Sequence, residues 1–299
     1  MTDLTGGTVR VDRSAAFRAN GVWSREGTLP FPLSFHTTST GGVHSVHATA
    51  ASISELVDLL AAHARGHAVV LNVSTNDWLD DDYQQLRLGQ IAGEQGVAAD
   101  VHDIRWAATR HMSDDLLVMP WSLMPRFLHR WYPYDIEILD VAGPLTSTEV
   151  EELVLTVNTH PVGKAPILPV LADTSLWFSG HDDCYFSLET TSADLAPLLL
   201  ARLLAAQAGA ALIVAADPAG TRADAVVMVP QPPTALAAAL LGIGGDWVGK
   251  IAQVQAGEQV TLALAPTNAH WRAADRLPDV MPHELTLDMV AGTWSYRLS

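Results

Sequence analysis

Hydrophobic and polar positions follow the same plan twice along the chain, over residues 31–76 and 174–218. Each stretch predicts an extended run, a turn, a second extended run, a capped amphipathic helix and a returning apolar strand. In the first, Phe31, Leu33 and Phe35 alternate with Pro32, Ser34 and His36, the period-two signature of a strand with one face buried. Residues 37–42 have turn chemistry, and the second strand runs over Val43–Thr49. Ser52 with Glu55 predicts a capping box, in which each side chain satisfies an orphan N–H of the first helical turn. Ile53, Leu56, Val57, Leu60 and Ala64 then form one helical stripe, which Gly66 ends. Residues 68–73 are apolar except for Asn72, as expected of a strand buried on both faces.

The second stretch restates this with Leu176 and Phe178, then Cys184, Phe186 and Leu188, a predicted Thr191–Asp194 cap, and the stripe Leu195, Leu198, Leu199 and Leu203. Residues 211–215 are its returning strand. Superposing the two caps leaves the second copy about three residues longer before its last strand, close to one helical turn. Such an insertion preserves the direction of the apolar face. A strand–helix–strand pattern is common enough to recur by chance, so duplication is an expectation for structure to examine.

Between and beyond the copies the pattern gives further elements. It predicts strands at Thr8–Val11, 116–119, 136–138, 166–171, 225–229, 247–255, 259–265, 284–290 and Thr293–Arg297, and helices over 83–95, 123–131 and 232–241. Thr146 and Glu149 form another capping box, followed by the stripe Val150, Leu153, Val154 and Val157. Consecutive hairpins mixed with helices favour α+β over a doubly wound sheet. The expected fold is therefore a mixed, largely antiparallel sheet with flanking helices and a pseudo-twofold duplication of a β-hairpin–helix–strand unit. An N-terminal arm over 1–30 precedes two halves, 31–172 and 173–299, packed as one continuous globular unit.

Composition narrows the function classes. Hydrophobic residues make up 48% of the 299 and charged residues 17%, a globular balance. There is no apolar run long enough for a bilayer and no basic-then-apolar leader, so a cytoplasmic protein that does not enter membranes is expected. The lone cysteine, Cys184, excludes an intrachain disulfide. Acids outnumber bases 33 to 17, for a net charge of −16. Lys164 and Lys250 are the only lysines and the arginines are scattered, which argues against nucleic acid as a ligand.

The chemical motifs are mostly negative. Gly244-Gly245-Asp246-Trp247-Val248-Gly249-Lys250-Ile251 fits a phosphate-loop spacing, but Ile251 stands where a magnesium-binding hydroxyl is needed. A helix also precedes it and a strand follows, the reverse of what phosphate binding requires. Twelve histidines lack metal-ligand spacing: His44 and His47, three apart on a strand, face opposite ways, and Gly66 separates His63 from His67. No metal or cofactor is expected. There is no G-x-S-x-G elbow or S-x-x-K nucleophile motif, and Asp182 and Asp183 beside Cys184 would raise a thiol pKa. Trp121, Phe127, Trp131, Tyr132 and Tyr134 are expected in the core ahead of a binding surface.

Two acidic turns remain. Asp77, Trp78, Asp80, Asp81 and Asp82 follow the returning strand of the first copy, and His181, Asp182 and Asp183 form the turn of the second. Carboxylates so placed can hold a hard cation, act as an acid/base pair or meet a basic partner; they also suit a solvated turn. Without a catalytic signature, the expected function is a non-catalytic acidic binding protein recognising a basic protein surface through these eight residues, as a chaperone, inhibitor or immunity-type partner does. The alternative is a small-molecule enzyme with a carboxylate/histidine site between the two copies, drawing on His36, His44 or His181.

Overall fold

The computed structural model describes residues 8–11, 33–49, 60–61, 63–74, 86–107, 113–127, 135–160, 166–168, 170–171, 173–181, 185–207, 210–213, 226–227, 233–255, 259–267, 281–288 and 293–299. The strands are β1 (Thr8–Val11), β2 (Leu33–Thr40), β3 (Val43–Thr49), β4 (His67–Ser74) and β5 (Asp100–Asp103). Next come β6 (Asp115–Pro120), β7 (Asp135–Val141), β8 (Thr174–His181), β9 (Tyr185–Thr190) and β10 (Ala210–Ile213). The last are β11 (Val226–Val227), β12 (Gly245–Gln255), β13 (Gln259–Thr267), β14 (His283–Asp288) and β15 (Thr293–Arg297). Helices of seven residues or more among the described residues are α1 (Leu88–Glu94), α2 (Ser147–Thr159), α3 (Leu195–Gln207) and α4 (Thr234–Ile243).

The architecture is α+β, with a mostly antiparallel sheet of twelve strands and a second sheet of three. No helix among the described residues is long and apolar enough to cross a membrane. Two compact units divide the chain. Met1–Ser39, Val46–Ala51 and Pro197–Ser299 form the first; Thr40–Ser45 and Ser52–Ala196 form the second.

In the second unit the strand order is β9-β8-β7-β4-β6-β5. Helix α2 starts as its sequence dictates: Thr146 Oγ1 accepts the Glu149 N–H at 3.3 Å while Glu149 Oε2 accepts the Thr146 N–H at 2.7 Å. Its stripe of Val150, Leu153 and Val154 packs on Val69, Leu71, Leu116, Val118, Leu139 and Val141. Helix α1 begins at Leu88, later than the pattern of 83–95 suggests, because Arg87 is extended (φ −69°, ψ 142°) and takes the N-cap position. Arg87 Nε donates to the buried Asp115 at 3.0 Å, a second guanidinium nitrogen contacts the same carboxylate, and the Gly89 N–H donates to it at 3.2 Å. That ion pair fastens α1 to the start of β6.

Asp140, on β7, is 1% exposed, and donors from three other segments converge on it. The backbone N–H groups of Arg65 (2.8 Å) and Gly66 (3.2 Å), the Trp121 indole N–H (2.8 Å) and the Ser175 hydroxyl all donate to its two oxygens. Ser175 reaches it because the β7–β8 register shifts between Asp140 and Val141, leaving Ser175 as the extra residue of a bulge. Gly66 is needed here for closeness, not for a left-handed helix end. A Cβ at this position would run into the carbonyl oxygens of Val141 and Ala142.

Residues 166–168 and 170–171 are turn, not the strand the apolar run suggests. The N–H groups of Ile167 (2.7 Å) and Leu168 (3.1 Å) donate to the buried carboxyl of Glu189, and those of Val170 and Leu171 turn back to the Ile167 carbonyl. With its donors taken this way the segment has no ladder to join. Burial pushes the Glu189 carboxyl up, and these backbone bonds oppose that push.

In the first unit the order β15-β14-β13-β12-β2 continues antiparallel pairing. Phe35 stacks on Trp247 with ring centroids 6.2 Å apart, over a core that includes Leu33, Leu262, Leu264 and Leu285. Gly244 caps α4 at φ 72°, and β12 begins at the next residue. Gly244 is therefore the helix-to-strand turn, and Gly245–Lys250 is already strand, in the context that argues against a phosphate loop. At the β2 end the chain reverses over Gly41 and Gly42 alone, with φ of 63° and 81°. Residues 37–40 stay in the strand because a two-residue hairpin needs positive φ only at its two central positions. The smaller sheet, order β10-β1-β11, also lies in this unit.

The two hairpins β2–β3 and β8–β9 are both present, but the strands that follow their helices differ: β4 joins the large sheet and β10 the small one. The second helix starts at Leu195, with Ser192 Oγ accepting the Leu195 N–H at 3.3 Å, so Ser192 takes the capping position predicted for Thr191. The first copy's cap, Ser52 and Glu55, lies outside the described residues.

Truncating the Asp140 carboxyl strands several buried donors at once. Asp140→Ala should cost about 3–5 kcal/mol and Trp121→Phe a smaller amount, about 1.5–3 kcal/mol, both read from urea unfolding midpoints at constant slope.

Candidate functional site: polar rows at one end of the β4–β7–β8 strands

On β7, alternation puts Glu137, Leu139 and Val141 on one sheet face and Ile136, Ile138 and Asp140 on the other. The Leu139 face is the one α2 covers. Toward the start of β7, where the helix-covered cluster ends, the same face turns polar. Glu137 is in register with Asn72 of β4 and Ser179 of β8, and Ser179 in turn with Ser187 of β9. All four are half-buried. Ser113 Oγ donates to Asn72 Oδ1 at 3.0 Å, anchoring the amide at the end of this row.

The next row outward aligns Ser74, Asp135, His181 and Tyr185 across the same four strands. Ser74 is the last residue of β4 and His181 the last of β8. The two acidic segments singled out in the sequence are adjacent in sequence to these positions: residues 75–82 follow Ser74, and Asp182 and Asp183 follow His181. Asp77, Trp78, Asp80, Asp81, Asp82, Asp182 and Asp183 lie outside the described residues. His181 is placed here by its backbone register alone.

Sequence reasoning missed Asp135 and Glu137, which stand in the middle of these rows. A signal for them existed. Asp135 and Glu137 precede Leu139 and Val141 at period two, so two acids occupy positions whose strand-mates are apolar and inward. The environment leaves its mark on Glu137: burial foremost, and then the charge of Asp135, push its carboxyl up to about 8. Near neutral pH this group carries a proton and donates as well as accepts. A guanidinium or ammonium brought against it would favour the ionised form instead.

A second arrangement of titratable groups lies in the first unit. His36 Nδ1 and Asp246 Oδ1 are 2.9 Å apart with their side chains 35% and 37% exposed, and the His47 ring centroid is 6.0 Å from that of His36. Among the described residues, no group of three or more His, Cys, Asp or Glu is placed to hold a metal ion.

No protein-family model matches the chain, and neither a curated protein nor a solved structure matches it.

The raised Glu137 carboxyl has a definite effect on stability. Its folded pKa of about 8 exceeds the ordinary 4.5, so the folded state holds more protons across that window. Stability contributed by the protonated group is full below about pH 4.5 and is lost as pH rises toward about 8. Glu137→Gln should remove this slope and stabilise the protein by roughly 1–3 kcal/mol at alkaline pH, with little change in acid. Urea unfolding of both proteins at about pH 5 and about pH 8.5 measures the difference.

Proposed function

We propose that the protein is a non-catalytic acidic binding protein that recognises a basic protein surface at the strand ends carrying Ser74, Asp135 and His181. The observation that supports this reading is the register itself. Two acidic segments far apart in sequence, with Asp77, Trp78, Asp80, Asp81 and Asp82 in one and Asp182 and Asp183 in the other, directly follow strands whose ends, Ser74 and His181, are in register with Asp135 on either side. Carboxylates concentrated at one place steer a cationic partner and raise its association rate. Trp78 would add an aromatic contact of the kind binding sites favour, and Glu137 a carboxyl that ionises on meeting a cation. A chaperone, inhibitor or immunity-type role in the cytoplasm belongs to this class, and the net charge of −16 disfavours nucleic acid as the partner.

The test is capture of a basic partner from lysate at low and high salt, using the wild type and an Asp135→Asn/Glu137→Gln double variant. Retention that is lost in high salt and reduced several-fold in the double variant is expected. Retention indifferent to both would end this reading.

A second reading, a small-molecule enzyme, draws on the His36–Asp246 pair. An Asp hydrogen-bonded to one imidazole nitrogen fixes the tautomer and leaves the other nitrogen as a base. The measurement is hydrolysis of a panel of activated esters by the wild type and by His36→Gln. If the two rates agree, His36 does not act as a base toward such substrates.

A further inference from the structure

Among the described residues, the outermost strands of the two units differ in chemistry. In the second unit, β5 is four residues long and carries Asp100 and Asp103. Short, charged strands of this kind resist pairing with another chain. In the first unit, the outermost strand β15 reads Thr293-Trp294-Ser295-Tyr296-Arg297 and has no acid. Its one charge, Arg297, is tied back to Glu284 of β14 at 3.1 Å. Thr293, Ser295, Tyr296 and Arg297 are exposed, Tyr296 at 46%. Every residue of β15 is paired to β14 on its inner side, so the outward-facing N–H and C=O groups form an open edge among the described residues. The Trp294 indole N–H is buried without an acceptor.

We propose that β15 pairs with β15 of a second copy of this chain, antiparallel about a two-fold axis at Ser295. The sequence of the strand is self-complementary in that register. Ser295 meets the partner's Ser295, and Trp294 and Tyr296 meet the partner's Tyr296 and Trp294. Thr293 and Arg297 likewise exchange partners. An axis perpendicular to the sheet keeps both copies' faces on the same side, so all four aromatic rings line one face as two cross-strand pairs. That face is the one carrying Leu285, which is fully buried and in register with Tyr296. Cross-strand aromatic pairs stabilise antiparallel sheets, and Ser295 faces its counterpart on the opposite side of the sheet. The copies each carry −16 and repel one another, so association strengthens as salt rises. That dependence is opposite to the one expected for capture of a basic partner, which keeps the two ideas separable.

The test is sedimentation or light scattering of the full chain over a concentration series at low and high salt. A monomer–dimer equilibrium that shifts toward dimer in high salt is expected. Ser295→Asp places two carboxylates against each other only in the dimer; it should weaken association at least tenfold and leave the melting curve of the monomer unchanged. In a Cys184→Ser background, Ser295→Cys should form an intermolecular disulfide on mild oxidation, because opposed antiparallel residues lie about 4.5–5.5 Å apart at Cα, within disulfide range. A monomer at every concentration and salt overturns the proposal. So does a dimer that tolerates Ser295→Asp and yields no cross-link with Ser295→Cys, since it must then use another surface.

Discussion

A buried carboxyl in the middle of a sheet has to be answered by donors, and Asp140 imposes that condition on much of the second unit. Its four hydrogen bonds fix the residues that enter β4, the indole that follows β6 and the bulged serine of β8. Each of those segments is thereby held to β7 at one point. Apolar packing under α2 is non-directional and tolerates sliding of one strand past another; the Asp140 cluster does not. The Val141 and Ala142 carbonyls crowd against Gly66 for the same reason. A polar anchor on one face of β7 and a hydrophobic cluster on the other together set the register of the β4–β7–β8 core.

Much of the sheet was legible from alternation and turn chemistry. Thr8–Val11, Val43–Thr49 and Thr293–Arg297 coincide with strands, and the Thr146–Glu149 cap opens its helix as expected. What failed did so because a partner distant in sequence overrode the local pattern. The apolar run over 166–171 carries strand composition, but the carboxyl of Glu189, some twenty residues away, takes its backbone donors. No local window contains that information. Asp140 gave a signal that is easily passed over: on β7 it shares period two with Ile136 and Ile138, which places an acid on an inward face. Asp135 and Glu137 repeat the pattern on the opposite face. Acids that continue an apolar alternation mark buried polar anchors or sites, whereas acids massed in a turn, as at 77–82, attract the eye through composition.

The acidic excess is also not all surface. Asp115 holds a guanidinium, Asp140 an indole and two backbone amides, and Glu189 two more amides. Internally these carboxyls serve as acceptors where the chain leaves regular structure. Fewer acids are therefore left for the surface than the composition alone suggests.

The small sheet places β1 between β10 and β11, with Val11 beside Ala210 and Thr8 beside Ile213. β1 is thus the central strand of a sheet whose other two members are made about 200 residues later. At ribosomal speeds of about 5–20 residues per second, β1 waits roughly 10–40 s for its neighbours. Most of the second unit can fold during that interval. Closure of the small sheet is then a long-range event in biosynthesis, and a chain stalled before residue 210 leaves β1 unmatched.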